Sequence, residues 1–416
     1  MAKDAVGTPG QNLQHVAMEA VFLALDFSLG LPEDVISLQG VARDFAQARL
    51  RQRGQDADRT GEVPWDALKE AGELGLCAPG VEEAYGGPGV SAQAQVAMME
   101  ELGWGNLGLA MAIASQGLLA AALARHGSER QKQQYLPALA GEGGLLLASL
   151  AVTEPEAGAE LEMASRGEQQ RVRTEARRTA SGYRLDGRKR FIVNAGADGL
   201  LLVLAQTDPD AGLRGASLFL VRQSAPGVQF LGRTETSGLK SLQIGTLDFQ
   251  GCDVGADMRL GEEGEGFQIA REVLQLGRVL TAAAEVGTAR AAYEAAVAYA
   301  RERRTMGRPI IEHQQVAGML ARMRTGIDAA RLLVLRSAGD LDAGRDAALS
   351  AAEANFQSGD AAANALRNAV QTFGGYGFTQ DFPVEMWLRD VLGSRIAYGG
   401  GDVQLLEVAE AIARGA

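Results

Sequence analysis

The feature that most constrains this chain is a double change in its hydrophobic period. From about Pro32 to Glu142 apolar residues recur at helical spacing, as in "DVISLQGVARDFAQARL", and "PWDALKEAGELGL" opens on a proline, which suits a helix's first turn. Between about Leu147 and Asp257 the runs shorten to "LLLVLAQT", "SLFLV" and "TLDF", bounded by turn residues. The Asp-Gly of "YRLDGRKRFIV" reads there as a hairpin turn. From about Gly264 the helical period returns. Ile269, Val273, Leu276, Leu280 and Ala283 share one face, and "AALSAAEANFQSGDAAANALRNAVQTF" runs as helix to "GGYG". Helix, strand, helix in three blocks predicts an α+β protein, mainly α. It divides into an N-terminal extension (1–30), an N-terminal α domain (31–146), a middle antiparallel β domain (147–257) and a C-terminal α bundle (258–416).

Several function classes lose support at once. With 40 basic and 52 acidic residues the formal charge is −12, which disfavours non-specific nucleic-acid binding. No GxGxxG follows a predicted strand and no Gly-rich loop ends in GK[ST], so Rossmann and P-loop sites are not expected. His15, His126 and His313 lack metal-ligand spacing, and no metal is expected. Cys77 and Cys252 lie far apart, and Glu19 and Asp26 interrupt the early apolar run; a reduced, cytoplasmic protein without a signal peptide is the expectation. The stretch Leu107 to Ala124 reaches membrane-span length, but alanine dominates it and Ser115, Gln116 and Gly117 interrupt it. A buried bundle helix is predicted rather than a membrane span.

The central block opens with "ASLAVTEPEAGAE", a strand leaving into a turn locked by Pro155. With it stand, in order, "EVPWDALKEAGELGL", "EEAYGGPG", "SERQKQQYLPALAGEG", "DGRKRFIVNAG", "LGEEGEGFQIA", "RERRTMGRPIIEHQQV", "QTFGGYGF" and "FPVEMWLRD". From about residue 35 onward this order resembles the acyl-CoA dehydrogenase family. The resemblance implies an N-terminal helical domain, a middle β domain and a C-terminal four-helix bundle, assembled as a homotetramer or dimer that binds FAD without a Rossmann unit. It also implies α,β-dehydrogenation of an acyl-CoA or acyl-carrier thioester, with a carboxylate removing the α-proton and an electron-transfer flavoprotein as acceptor. Such chemistry needs a flavin held flat against the substrate and a base within reach of the α-carbon.

Carried over residue by residue, the resemblance places Val152 and Thr153 at the pyrimidine edge of the flavin, where a hydroxyl can donate and accept. The family's serine for the FAD pyrophosphate is Ala159 here. In "KRFIVNAG" Phe191 stands for a tryptophan and Val193 for a threonine, so the aromatic face survives and the hydroxyl near flavin N5 is lost. Arg303 of a neighbouring subunit would meet the pyrophosphate. Met306 replaces a phenylalanine, and Gln371 and Gly375 would contact FAD, Gly375 where backbone approaches closely.

The base is where the chain departs from its relatives. In "RIAYGGGDVQ" the resemblance aligns Tyr398 with the loop glutamate of the short- and medium-chain branches, and Gly400 with a threonine. Another branch carries its glutamate on the long helix just before an arginine, where this chain has Gly277 before Arg278. A helical glycine costs about 1 kcal/mol, so Gly277 is expected to clear space for ligand, and Gly277 and Arg278 are read as substrate-binding. A phenol has a pKa of about 10 against about 4.3 for Glu, leaving about one part in a thousand ionised at neutral pH unless a cation such as Arg278 intervenes. Asp402 is a second candidate base, and Glu100 and Glu101 are expected to bond structural groups. The arginines at 166, 171, 173, 177, 178, 184, 188 and 190, with Lys189, read either as a solvated hairpin face or as a phosphate-binding edge for coenzyme A or a carrier's pantetheine. Three functions stay open: a flavoenzyme with Tyr398 or another group as base, or with base-independent chemistry; a silent FAD- or ligand-binding subunit of a mixed complex; and a flavin-free scaffold.

Overall fold

The computed structural model describes residues 33–158 and 172–415; Ala159, Arg166 and Arg171 lie outside them. Helix α1 (Glu33–Phe45) runs through one π turn (Ala46–Leu50) into α2 (Arg51–Thr60), and α3 (Trp65–Glu73) follows with Pro64 at its N-cap. Side chains then punctuate the chain. Ser91 accepts from the Ala94 amide to start α4 (Ala92–Gly105), and Asn106 accepts from the Leu109 amide to start α5 (Leu107–His126). Ser128 and Gln131 form a reciprocal capping box at α6 (Glu129–Ala140). Helix α5 is apolar enough to cross a membrane by length and composition, but 83% of its most apolar window is buried inside the protein. It is a core helix.

The middle block is one sheet of eight strands: β1 (Leu147–Ala151), β2 (Glu175–Arg178), β3 (Gly182–Val193), β4 (Gly199–Gln206), β5 (Ala216–Arg222), β6 (Val228–Arg233), β7 (Ile244–Gly255) and β8 (Arg259–Leu260). The order is β6-β7-β3-β2-β4-β5-β8, mainly antiparallel, with β1 and β2 each pairing β4 in parallel. The Asp186-Gly187 pair is not a hairpin turn. It lies inside β3, where the register to β7 shifts between Leu185 and Gly187. Gly187 sits at φ 149, and a Cβ there would come 2.6 Å from Cα of Thr174. The glycine makes a bulge that lets two strands approach.

The remaining helices form the C-terminal bundle: α7 (Gly266–Glu302), α8 (Gln314–Asp342), α9 (Ala348–Phe373), α10 (Val384–Ser394) and α11 (Gly400–Ala413). The five residues predicted to share a face do so on α7, with Ile269, Val273, Leu280 and Ala283 fully buried. Helix α7 packs on α9, α8, α4 and α5, which joins the two helical blocks into one apolar core, and its first turn lies against β5.

Candidate active site

The Thr-Glu-Pro segment leaves β1 and is pinned from below by a buried ion pair. Lys189, fully buried in β3, donates through Nζ to the Val152 carbonyl (3.0 Å) and to Glu154 Oε1 (2.9 Å). Glu154 also accepts from the Thr174 amide (2.8 Å), the Thr174 hydroxyl (2.7 Å) and the Arg173 amide (2.8 Å). Burial alone would raise its pKa, but Lys189 and these donors hold it below the usual range; burial wins at Lys189, whose pKa is lowered. Sequence reasoning missed this pair. The signal was a lysine inside an alternating strand at a position whose neighbours point outward.

One residue on, a second bulge turns β3: the pairing jumps from Lys189↔Leu247 to Ile192↔Gly245. Phe191 therefore takes φ 58 and leaves its ring 53% exposed, an orientation a regular strand would not give it. The Arg190 amide donates to the Thr153 carbonyl (2.9 Å), and the Arg190 guanidinium lies 4.7 Å over the Phe191 ring. Val193 is half-buried beside them. Asn194, at φ 59, donates to Ser115 Oγ (2.9 Å) and the Ala148 carbonyl (3.1 Å), while its buried Oδ1 has no donor. The Arg190–Thr153 main-chain bond thus sets half-buried Thr153 close to the outward Phe191 ring, two residues before half-buried Val193. That set of groups fits a flat heteroaromatic ring.

The arginine-rich edge is largely self-neutralised. Arg173 pairs with Glu156, Arg178 with Glu263, Arg177 with Glu175 (2.7 Å), Arg184 with Asp253 (2.8 Å) and Arg188 with Asp248 (2.9 Å). Glu100 and Glu101 belong to a buried network with Arg290, Arg331 and Arg43 that ties α4 to α7, α8 and α1. Burial would raise the Glu101 pKa, but Arg290 and Arg43 hold it at about 2.

Arg303, Gln371 and Gly375 are exposed at the far end of the bundle, where Tyr299 of α7 stacks on Phe373 of α9 with centroids 4.3 Å apart. Met306, in the short hairpin after Arg303, is 94% exposed. Among the described residues no hydrogen bond, ion pair or ring contact links them to Thr153 or Phe191.

Tyr398 sits between α10 and α11 at φ 53, ψ 38, followed by Gly399 at φ 100 and Gly400 at φ 72. Its main-chain carbonyl accepts from Arg278 Nε (3.2 Å) and Gln404 Nε2 (2.9 Å), which holds the strained turn. Arg278 is buried and also meets Glu407 (2.7 Å). Its guanidinium thus bridges a carboxylate and the main chain of Tyr398. The half-buried Tyr398 ring rests on α7 where the side chain is missing. A Cβ on Gly277 would lie 2.7 Å from Tyr398 Cε1 and 3.1 Å from Cζ. Gly277 therefore clears space for Tyr398. Asp402 is exposed in the first turn of α11.

Two turns further along α7 lies a carboxyl that sequence reasoning passed over. Glu285 is fully buried, accepts from Ser394 Oγ at 2.6 Å through Oε1, and has no partner at Oε2. Burial pushes its pKa up to about 8, with Ser394 and Arg395 pulling the other way. Its signal was a lone acid among the alanines of "TAAAEVG".

Comparison with known proteins agrees with the three-block fold. Profiles of the N-terminal, middle and C-terminal domains of acyl-CoA dehydrogenase match residues 32–142, 149–252 and 264–413. The chain is 33% identical over 379 residues to an acyl-CoA dehydrogenase of Bacillus subtilis (strain 168), covering 91% of this chain and 97% of that one. Butyryl-CoA dehydrogenase from Megasphaera elsdenii superposes with a TM-score of 0.88 at 32% identity, over 92% of this chain and 99% of the other. The prolyl acyl carrier protein oxidase AnaB superposes with a TM-score of 0.87 at 27% identity, over 92% of this chain and 100% of the other. The chain belongs to the acyl-CoA dehydrogenase family of FAD-dependent oxidoreductases.

Proposed function

We propose that this protein oxidises the CH–CH bond of an acyl thioester, with Tyr398 standing where relatives place a carboxylate base. The observation that carries the reading is the contact between the Tyr398 ring and Gly277. The two places from which branches of the family supply a base, the loop after α10 and the turn of α7 before an arginine, meet at one point here. This chain fills that point from the loop with a phenol and reduces the helix position to hydrogen.

FAD, when bound, accepts the β-hydrogen as hydride. Of the chain's own residues, Val152 and Thr153 would hold the ring's polar edge, and Phe191 and Val193 would lie against its face. Tyr398 Oη takes the α-proton. Arg303, Gln371 and Gly375 serve the cofactor of a second copy, because from Gly277 to Arg303 the helix runs about 39 Å at about 1.5 Å per residue. That separation supports a homo-oligomer with shared cofactor sites. Likeness to butyryl-CoA dehydrogenase favours a CoA thioester, and likeness to AnaB keeps a carrier-bound thioester among the substrates. An electron-transfer flavoprotein is the proposed acceptor.

The test is anaerobic addition of saturated acyl thioesters to the flavin-loaded protein. Bleaching of the flavin band is expected. A phenol is mostly protonated at neutral pH, so the rate should climb about tenfold per unit between pH 7 and 9. A second reading, a silent FAD-binding subunit of a mixed complex, is favoured by the lack of a carboxylate at both Gly277 and Tyr398. Full flavin occupancy with no bleaching by any thioester would select it.

A further inference from the structure

Among the described residues Arg190 escapes the pairing that neutralises the arginine-rich edge, and Arg233 near it makes no ion pair either. Arg190 is exposed, faces no carboxylate among the described residues, and is steadied by its stack on Phe191. Arg233 donates to two main-chain carbonyls, that of Gly61 and that of Lys240 (2.6 Å), which fix its fork without cancelling its charge. Both line a cavity of about 550 Å³, together with Arg188, Pro155, Thr234 and Glu235. Arg188 is matched by Asp248, so the wall carries two uncompensated cations against the single carboxylate of Glu235. In a chain of formal charge −12 such a surplus is a local construction. It opens beside the flavin face, since Pro155 follows Thr153 by two residues and the Arg190 amide is bonded to the Thr153 carbonyl.

We propose that this cavity takes the diphosphate of FAD, with Arg190 as its direct contact and Arg233 as a fixed charge behind it. A guanidinium fork matches phosphate oxygens two at a time, and stacking on an aromatic ring lowers the ordering cost. The assignment rests on the FAD reading. It gives the chain a substitute for the pyrophosphate contact that Ala159 cannot make.

The test uses full-length protein stripped of flavin and titrated with FAD and, separately, with riboflavin, which has the ring and no phosphate. Arg190→Ala should weaken FAD about ten- to hundredfold, as loss of one charge-assisted hydrogen bond predicts. Riboflavin affinity should stay within about twofold, because the ring contacts are untouched. Added salt should weaken FAD binding more in the wild type than in the variant, and Arg190→Lys should recover part of the loss. Equal weakening of both flavins would mean that Arg190 acts only by propping Phe191, and would overturn the assignment. So would unchanged FAD affinity, or a loss confined to coenzyme A binding, which would give the cavity to the substrate's phosphates. A wild-type protein that takes up neither flavin would overturn the FAD reading itself, and this assignment with it.

Discussion

A methyl group added at Gly277 would stand 2.7 Å from a carbon of the Tyr398 ring, so one of them must move. Alanine gains about 1 kcal/mol of helix propensity, while overpacking costs about 1–3 kcal/mol. The crowded atoms belong to a side chain that can swing away, so the two effects come close to cancelling in stability but not in geometry. Gly277→Ala should therefore leave the melting temperature within a few degrees and slow flavin bleaching by up to about a hundredfold, the cost of a 1 Å misplacement; stopped-flow absorbance and a thermal melt check both halves. Tyr398→Glu should raise bleaching by a saturated acyl thioester by orders of magnitude at neutral pH, since a carboxylate is ionised there and a phenol is not. If that variant holds FAD normally and gains nothing, the role given to the position is wrong. The sequence marked both residues as departures from the family's pattern. What it could not show was that they touch, because no local pattern links a helix to a loop so far along the chain.

Between elements, the buried groups set the response to pH. Glu285 on α7 bonds Ser394 on α10, and its folded pKa of about 8 lies above the usual value of about 4.3. The folded state then binds the proton more tightly than the unfolded one. Its stabilisation is whole below the unfolded pKa and is lost as pH rises towards 8. Asp390 on α10, which burial pushes up to about 7 while the Leu239 amide pulls it down, acts with the same sign. Urea midpoints should fall from pH 5 to pH 8, and Glu285→Gln should flatten that fall; an unchanged slope would show the carboxyl ionised at both. The network around Arg290 behaves differently. Arg290→Met leaves Glu101 only the partly exposed Arg43 as a cation and Glu100 only Arg331, and should cost about 3–5 kcal/mol, whereas Arg184→Ala, which breaks an exposed pair, should leave the urea midpoint nearly unchanged. Helical period and caps made these elements legible in advance. The Asp-Gly of β3 was not, because a turn and a bulge share that local signal and only pairing with β7 decides between them.

At the scale of the whole molecule, the three-block order was the most legible property, since a change of hydrophobic period needs no tertiary information. The place of Arg303 was not, because about 39 Å of helix separates it from Gly277. Arg303→Ala should accordingly release flavin on dilution while the chain stays folded, as flavin fluorescence and far-ultraviolet dichroism would report. The central claim is that a phenol beside the flavin removes the proton that starts thioester oxidation. Its most direct measurement is the anaerobic rate of flavin bleaching by saturated acyl thioesters, followed from pH 7 to 9 in the wild type and in Tyr398→Phe. The account predicts bleaching that accelerates with pH in the wild type and collapses in the variant. Equal rates in the two proteins, or a fully loaded wild type that no thioester bleaches, would contradict it.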